Sequence, residues 1–176
     1  TADFSASPTS GAPPLTVEFT NLSTGEYDEC IWDFDNDQVK TLCDGPLTAY
    51  RSAGNFTVSL TVKGPGGEDS ITKTDYITVY APPTADFSAS PTSGPPPLTV
   101  EFTNRSTGVY DECTWDFGNG QVKTLCNKPA TKYRNEGSFT VTLSVKGPGG
   151  EDKKTIEQYI KVGYYRIFLP GVLMTD

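Results

Sequence analysis

The chain has 176 residues, 17 Gly and 14 Pro among them, a formal charge of -8 and no histidine. Lack of histidine removes the commonest general base, nucleophile activator and transition-metal ligand, and a pI near 4.5 argues against nucleic acid, whose phosphates select clustered Lys and Arg. No run of 18 apolar residues and no basic stretch leading into an apolar one is present, so neither a membrane span nor a signal peptide is expected, and the chain reads as a processed, mature product of structural or binding class.

Residues 1–80 align with 84–163 at a constant offset of 83, without gaps and with 58 identities. The expected organisation is therefore a first domain over 1–80, a linker over 81–83, a second domain over 84–163 and a tail over 164–176. Pro82 and Pro83 fix φ in the linker, which predicts an extended, semi-rigid connection with the domains end to end. From the N-terminus, Leu15, Val17 and Phe19 alternate with Thr16, Glu18 and Thr20. Further along, Phe56, Val58, Leu60 and Val62 alternate with Thr57, Ser59 and Thr61. Period two marks half-buried strands. With no 3.6-residue apolar stripe and frequent Gly and Pro, an all-β sandwich of roughly seven short strands per repeat follows.

The segment Cys113 to Cys126 carries a hairpin signal. Asn119-Gly120 is a preferred two-residue type I′ turn, and the two cysteines are equidistant from it. Counted outward from that turn they fall on a non-hydrogen-bonded pair, where Cα atoms approach to roughly 4.5 Å, a spacing that suits a disulfide. Cys30 and Cys43 stand in the same relation to Asn36-Asp37. Trp32 and Phe34 share the face of Cys30, so the bridge should border the core, as Trp115 and Phe117 should in the second repeat. Paired spacing that occurs twice fits an oxidising compartment.

Ala2-Asp3-Phe4, Pro14-Leu15-Thr16-Val17-Glu18-Phe19, Trp32-Asp33-Phe34, Tyr50 and Gly54-Asn55-Phe56-Thr57-Val58 follow one another in the first repeat and are largely repeated in the second. This ordered series resembles the PKD (polycystic kidney disease) domain. The resemblance implies two tandem immunoglobulin-like β-sandwiches, here followed by a C-terminal extra strand. It further implies an extracellular or cell-surface spacer, adhesion or assembly module with no catalytic residues. In that family Trp-Asp-Phe usually continues Gly-Asp-Gly, whereas here it continues Asp35-Asn36-Asp37 and Gly118-Asn119-Gly120.

Three kinds of site are expected. Asp33, Asp35 and Asp37 form an Asp-x-Asp-x-Asp run able to offer oxygen ligands to calcium, although no Gly or bidentate Glu follows at EF-hand spacing; otherwise no cofactor is expected. Asn21-Leu22-Ser23, Asn55-Phe56-Thr57 and Asn104-Arg105-Ser106 match the N-glycosylation acceptor pattern, with Asn21 and Asn104 expected in an exposed turn after a strand and Asn55 the weaker case. The third is the tail.

From Tyr164 to Met174 the chain has strong β-propensity and no counterpart in the first repeat; eight of these eleven side chains are apolar or aromatic. That is too few for a membrane span and too many to leave in water at about 25 cal/mol per Å². Arg166, Ile167, Phe168, Leu169, Val172, Leu173 and Met174 are the expected assembly residues. They either cover the chain's own second domain or are donated to an edge of a neighbouring molecule; a trimmed sorting signal is the third option. Residues 1–83 hold 12 acids and 4 bases, whereas residues 84–166 hold 9 acids and 10 bases. A head-to-tail contact between copies then avoids setting acid against acid, and a heterologous contact that does not close makes a filament. The function this favours is a non-enzymatic extracellular structural protein, a homopolymer of tandem domains, with glycans as further partners. A pair of spacer or binding modules from a secreted hydrolase or adhesin, touching polysaccharide or matrix protein through exposed aromatics, is the alternative.

Overall fold

The computed structural model describes residues 1–164, and within them the chain is strand, turn and loop without helix. It divides into two compact units, the first built on Thr1–Pro83 and the second beginning at Thr84. In the first unit the strands are β1 (Phe4–Ser7), β2 (Ser10–Gly11), β3 (Leu15–Asn21), β4 (Glu29–Asp33), β5 (Val39–Lys40), β6 (Leu47–Tyr50), β7 (Gly54–Gly64) and β8 (Gly67–Val79). The second unit repeats them as β9 (Phe87–Ser90), β10 (Ser93–Gly94), β11 (Leu98–Asn104), β12 (Glu112–Asp116), β13 (Val122–Lys123), β14 (Ala130–Tyr133), β15 (Gly137–Gly147) and β16 (Gly150–Val162).

Each unit is a sandwich of a three-stranded and a five-stranded sheet, ordered β1-β3-β6 and β2-β8-β7-β4-β5 in the first, with the same arrangement in the second. Alternation decides what faces inward. Leu15, Val17 and Phe19 of β3 are buried while Thr16, Glu18 and Thr20 are exposed, and Val58, Leu60 and Val62 of β7 are buried. Trp32 is fully enclosed, as is Trp115. Phe4 of the three-stranded sheet meets Trp32 of the five-stranded sheet edge-on with ring centroids 5.3 Å apart, and Phe87 meets Trp115 at 5.4 Å. Burying each such ring is worth about 1.5–3 kcal/mol, and the edge-on pairing adds about 0.5–1.5 kcal/mol.

Two features depart from the sequence reading. The strands are not all short: β7 and β8 form one long hairpin of 11 and 13 residues. Pro65 and Gly66 connect it, and Gly67 takes φ +115°, a conformation glycine adopts without steric cost. A bulge between Phe56 and Val58 inserts two extra residues in β8, with Asp75 at φ +51°, and this re-aims Tyr76 toward β1, a common use of bulges.

The second departure is the register of the disulfide hairpin. Trp115 pairs with Lys123 and Asp116 with Val122, one residue away from the register of a two-residue turn. The connection is instead three residues, Gly118-Asn119-Gly120, closed by Phe117 N–H donating to Gln121 O at 3.2 Å. Gly118 (φ +71°) and Gly120 (φ +80°) supply the two left-handed positions this loop requires. In the first unit Trp32 pairs with Lys40, and the left-handed positions are held by Asp35 (φ +58°) and Asp37 (φ +61°).

Candidate functional site

The disulfides form as paired in the sequence reading, Cys30 with Cys43 and Cys113 with Cys126, each with Cα atoms 5.0 Å apart. The bridge survives the changed register because the chain leaves the ladder after Lys40 and Lys123. From there the indole N–H of Trp32 donates to Leu42 O at 2.9 Å, and that of Trp115 to Leu125 O at 3.0 Å. The core tryptophan thus holds the segment that carries the second cysteine.

Asn21 and Asn104 belong to this same construction and are not the exposed turn residues expected of glycan acceptors. The side-chain Nδ2 of Asn21 donates to Cys43 O at 3.1 Å and lies 3.7 Å from Cys30 Sγ, while its Oδ1 accepts the Ser23 N–H at 3.0 Å. Asn104 repeats all three contacts, to Cys126 O, Cys113 Sγ and Ser106 N–H. The cause is parity: Asn21 continues the inward series Leu15, Val17, Phe19, and Asn104 continues Leu98, Val100, Phe102. A glycan on Nδ2 would replace one of the two protons that make these contacts. Asn55, at the start of β7, is the exposed asparagine of the three.

The acidic run resolves into backbone contacts. Asp33 Oδ1 accepts the Asp35 N–H at 3.0 Å, and Asp35 Oδ2 accepts the Thr57 N–H at 3.1 Å. Asp35 and Asp37 stand where the second unit has the glycines of its left-handed positions. Among the described residues no three His, Cys, Asp or Glu side chains gather around a common point that suits a metal ion. Beneath this loop lie two buried polar atoms without a hydrogen-bond partner, the Tyr50 hydroxyl and Asn36 Oδ1. Burial first, then the negative charges of Asp35 and Asp33, pushes the Tyr50 hydroxyl well above the ordinary tyrosine range.

Sequence reasoning missed how the outer strands of the three-stranded sheets are closed. Side chains of the opposite sheet reach across to their backbone: Lys73 Nζ donates to Phe4 O, Ala6 N–H donates to the Tyr76 hydroxyl at 3.2 Å, and Lys40 Nζ donates to Leu47 O. Lys73 also pairs with Asp3 at 3.2 Å and lies 4.6 Å from the centre of the Phe4 ring. In the second unit Tyr159 receives the Ala89 N–H at 3.0 Å, Lys123 donates to Ala130 O at 2.6 Å, and Lys154 pairs with Asp86. Such capping is one way to blunt an open sheet edge. A signal existed: Ile71 and Lys73 of the first repeat exchange places as Lys154 and Ile156, so one lysine on the same strand face reaches the same aspartate. These lysines hold the Asp3 and Asp86 carboxyls below the usual range, while the backbone N–H groups of Ala2 and Ala85 do the same for Asp69 and Asp152.

The expected assembly residues Arg166, Ile167, Phe168, Leu169, Val172, Leu173 and Met174 lie outside the described residues.

Solved structures similar to the chain include three N-terminal domains of the highly immunogenic outer capsid protein of bacteriophage RB49. That match has 12% identity and a TM-score of 0.49, covering 92% of this chain and 59% of that one. Murine CEACAM1b matches at 14% identity and a TM-score of 0.48, covering 92% of this chain and all of that one. The ectodomain of mouse nectin-like molecule 4 (Ig1–Ig3) matches at 13% identity and a TM-score of 0.43, covering 99% and 66%. The chain therefore spans about three fifths of the phage structure and two thirds of the nectin-like one. Two segments, residues 1–75 and 84–160, match the PKD domain. Together they take in most of the sequence, and the chain belongs to the PKD domain family as a tandem pair.

Proposed function

We propose that the chain is a non-enzymatic, extracellular structural subunit that assembles head to tail into a surface filament, residues 166–174 of one copy being donated to a sandwich of the next. The observation that carries this is the completeness of the second unit without the tail. Its eight strands end at Val162 and correspond one for one to those of the first unit. Its core of Phe87, Phe102, Trp115, Phe117 and Leu143 is buried in the same way as Phe4, Phe19, Trp32, Phe34 and Leu60. A further apolar segment has no counterpart in that strand set, and donating it to another molecule would satisfy its need for burial. The opposed charge balance of the two repeats supports polarity in the contact. Binding to matrix through exposed aromatics has less support, because both tryptophans are enclosed and Tyr164 is the one aromatic among the exposed large apolar side chains of the described residues. The reading needs no cofactor, and it places any N-linked glycan on Asn55. Sedimentation velocity of the full chain against a chain ending at Tyr164 tests it. The full chain should form species that grow with concentration and the shortened chain should remain a folded monomer; association of the shortened chain would reject tail donation.

A further inference from the structure

Beside the shared β5 sequence the two units differ around β6, at Asp44, Gly45, Leu47 and Ala49. In the first unit this side carries Val39, Leu42 and Leu47, between 39% and 61% exposed, whereas the exposed Leu22 lies beside β1, its N–H donating to Asp3 O at 2.8 Å. With Leu22 they are the exposed large apolar side chains of residues 1–83. Lys40 Nζ bonds Leu47 O, Thr48 Oγ1 bonds Gln38 Oε1, and Asn21 bonds Cys43 O, so the segments bearing these side chains are tied to one side of the sandwich. On the corresponding side the second unit keeps Val122 and Leu125 exposed but replaces Leu47 by Ala130 and Ala49 by Lys132. Gly45 becomes Lys128 and Asp44 becomes Asn127. An apolar edge in one unit is thus a lysine-guarded edge in the other, and lysine on an edge strand is a known device against strand addition.

The β5 edge, like the β13 edge of the second unit, is open in its backbone. Phe34 N–H donates to Gln38 O at 3.4 Å, which makes that a hydrogen-bonded pair. By alternation the next pair, Asp33 with Val39, leaves the N–H and C=O of Val39 pointing away from β4. No described side chain bonds them, in contrast to the capped groups of β1 and β6.

We infer that the β5–β6 side of the first unit is the surface that receives residues 166–174 of a second copy. The inference rests on the tail-donation reading and names its receptor. Chemistry favours this occupant. Ile167, Phe168, Leu169, Val172, Leu173 and Met174 need an apolar surface, and a nine-residue segment reaches about 30 Å when extended. Arg166 is the one cation of the tail. Its charge suits the acidic Asp44 of the first unit, where the second unit has Asn127 beside the repelling Lys128. The first unit of a second copy is accordingly preferred over the second.

Two variants of the full chain, compared by sedimentation velocity over a concentration series, test this. Leu47→Ala/Ala49→Lys gives the first unit residues that the second unit already accommodates in the same fold, and circular dichroism checks that folding is unchanged. Ile167→Asp/Leu169→Asp alters the tail. Both should weaken self-association at least about tenfold, the loss of one to two buried anchors. If the tail variant weakens it and the edge variant stays within twofold, the receptor is elsewhere while tail donation stands. Weakening by the edge variant alone would mean that the surface is an interface for something other than the tail, and the inference fails. If neither variant weakens association, or the unaltered chain is monomeric throughout, tail donation and its receptor fall together.

Discussion

The loop from Asp33 to Gln38 and the loop from Asp116 to Gln121 share a register and differ at two positions, Asp35 against Gly118 and Asp37 against Gly120. A Cβ on Gly118 would stand 2.3 Å from Thr140 O, so the second loop packs closer to its neighbouring strand than a side chain permits. That closeness goes with two hydrogen bonds, one buried and one exposed: the Tyr133 hydroxyl donates to Phe117 O at 2.9 Å, and Asn119 Oδ1 accepts the Gln121 N–H at 3.1 Å. With Asp35 the first loop stands off, its carboxylate takes the Thr57 N–H instead, and Tyr50 and Asn36 are left with unpaired buried atoms. One Cβ at a point of close approach thus undoes two polar contacts, each worth about 1–3 kcal/mol when left unmet in the interior.

The comparison can be broken most severely through the cores that both loops cover. Trp32→Ala and Trp115→Ala should each cost about 3–5 kcal/mol, and each should loosen its own unit. Hydrogen exchange read by peptide would show protection lost on one side of the linker only, whereas loss in both units from one substitution would mean that they do not fold separately.

A smaller effect of opposite sign separates the tyrosines. Tyr133→Phe removes a buried hydrogen bond and leaves Phe117 O unsatisfied, at a cost of about 1–3 kcal/mol, while Tyr50→Phe removes an unpaired hydroxyl and should be neutral or stabilising by up to about 1 kcal/mol. Denaturant titration of the two variants gives both signs, and equal losses would show that the two hydroxyls are held alike.

Asp37 has no hydrogen bond that a glycine would forfeit among the described residues, and its counterpart Gly120 has open space where a Cβ would be. Asp37→Gly relieves a left-handed aspartate and should stabilise the first unit by about 0.5–1 kcal/mol, and Gly120→Asp should do the reverse in the second. A melting temperature that moves the wrong way in either variant contradicts the assignment of strain to these positions.

Acid is expected to act on both units alike. Asp3 and Asp86 are held low by Lys73 and Lys154, and Asp69 and Asp152 by the backbone N–H groups of Ala2 and Ala85. A carboxylate with a lowered folded-state pKa contributes stability that is present above its ordinary value near 3.8 and is lost as pH falls through the folded-state value. Melting temperature should therefore drop below about pH 4, and Lys73→Met should flatten that drop for the first unit. A profile unchanged by the substitution would show the pair to be without effect.

Much of the fold is legible in particular residues. Leu15, Val17 and Phe19 place β3 by alternation alone, and the offset of 83 makes each inference testable twice. The disulfide pairing is legible although the register inferred for it is one residue off. Cysteines thirteen apart across a short loop come together whether the loop has two residues or three, provided one strand leaves the ladder. The three-residue loop was signalled by Gly118 and Gly120 lying two apart, a demand for two left-handed residues that a single Asn-Gly dipeptide does not make. The role of Asn21 and Asn104 is harder to see, because an Asn-x-Ser that folds its side chain onto its own backbone is spelled the same way as a glycan acceptor. What discriminates them is the inward parity set by Leu15 and Leu98. Edge capping by Lys40, Lys73 and Tyr76 depends on which strands of opposite sheets face one another, which no local pattern encodes.

Electron microscopy of the purified full chain over a concentration series bears most directly on the assembly account. It predicts unbranched filaments whose repeat is one two-domain chain, and it predicts none from the chain ending at Tyr164. Discrete two-domain particles at every concentration, with the tail intact by mass spectrometry, would contradict it.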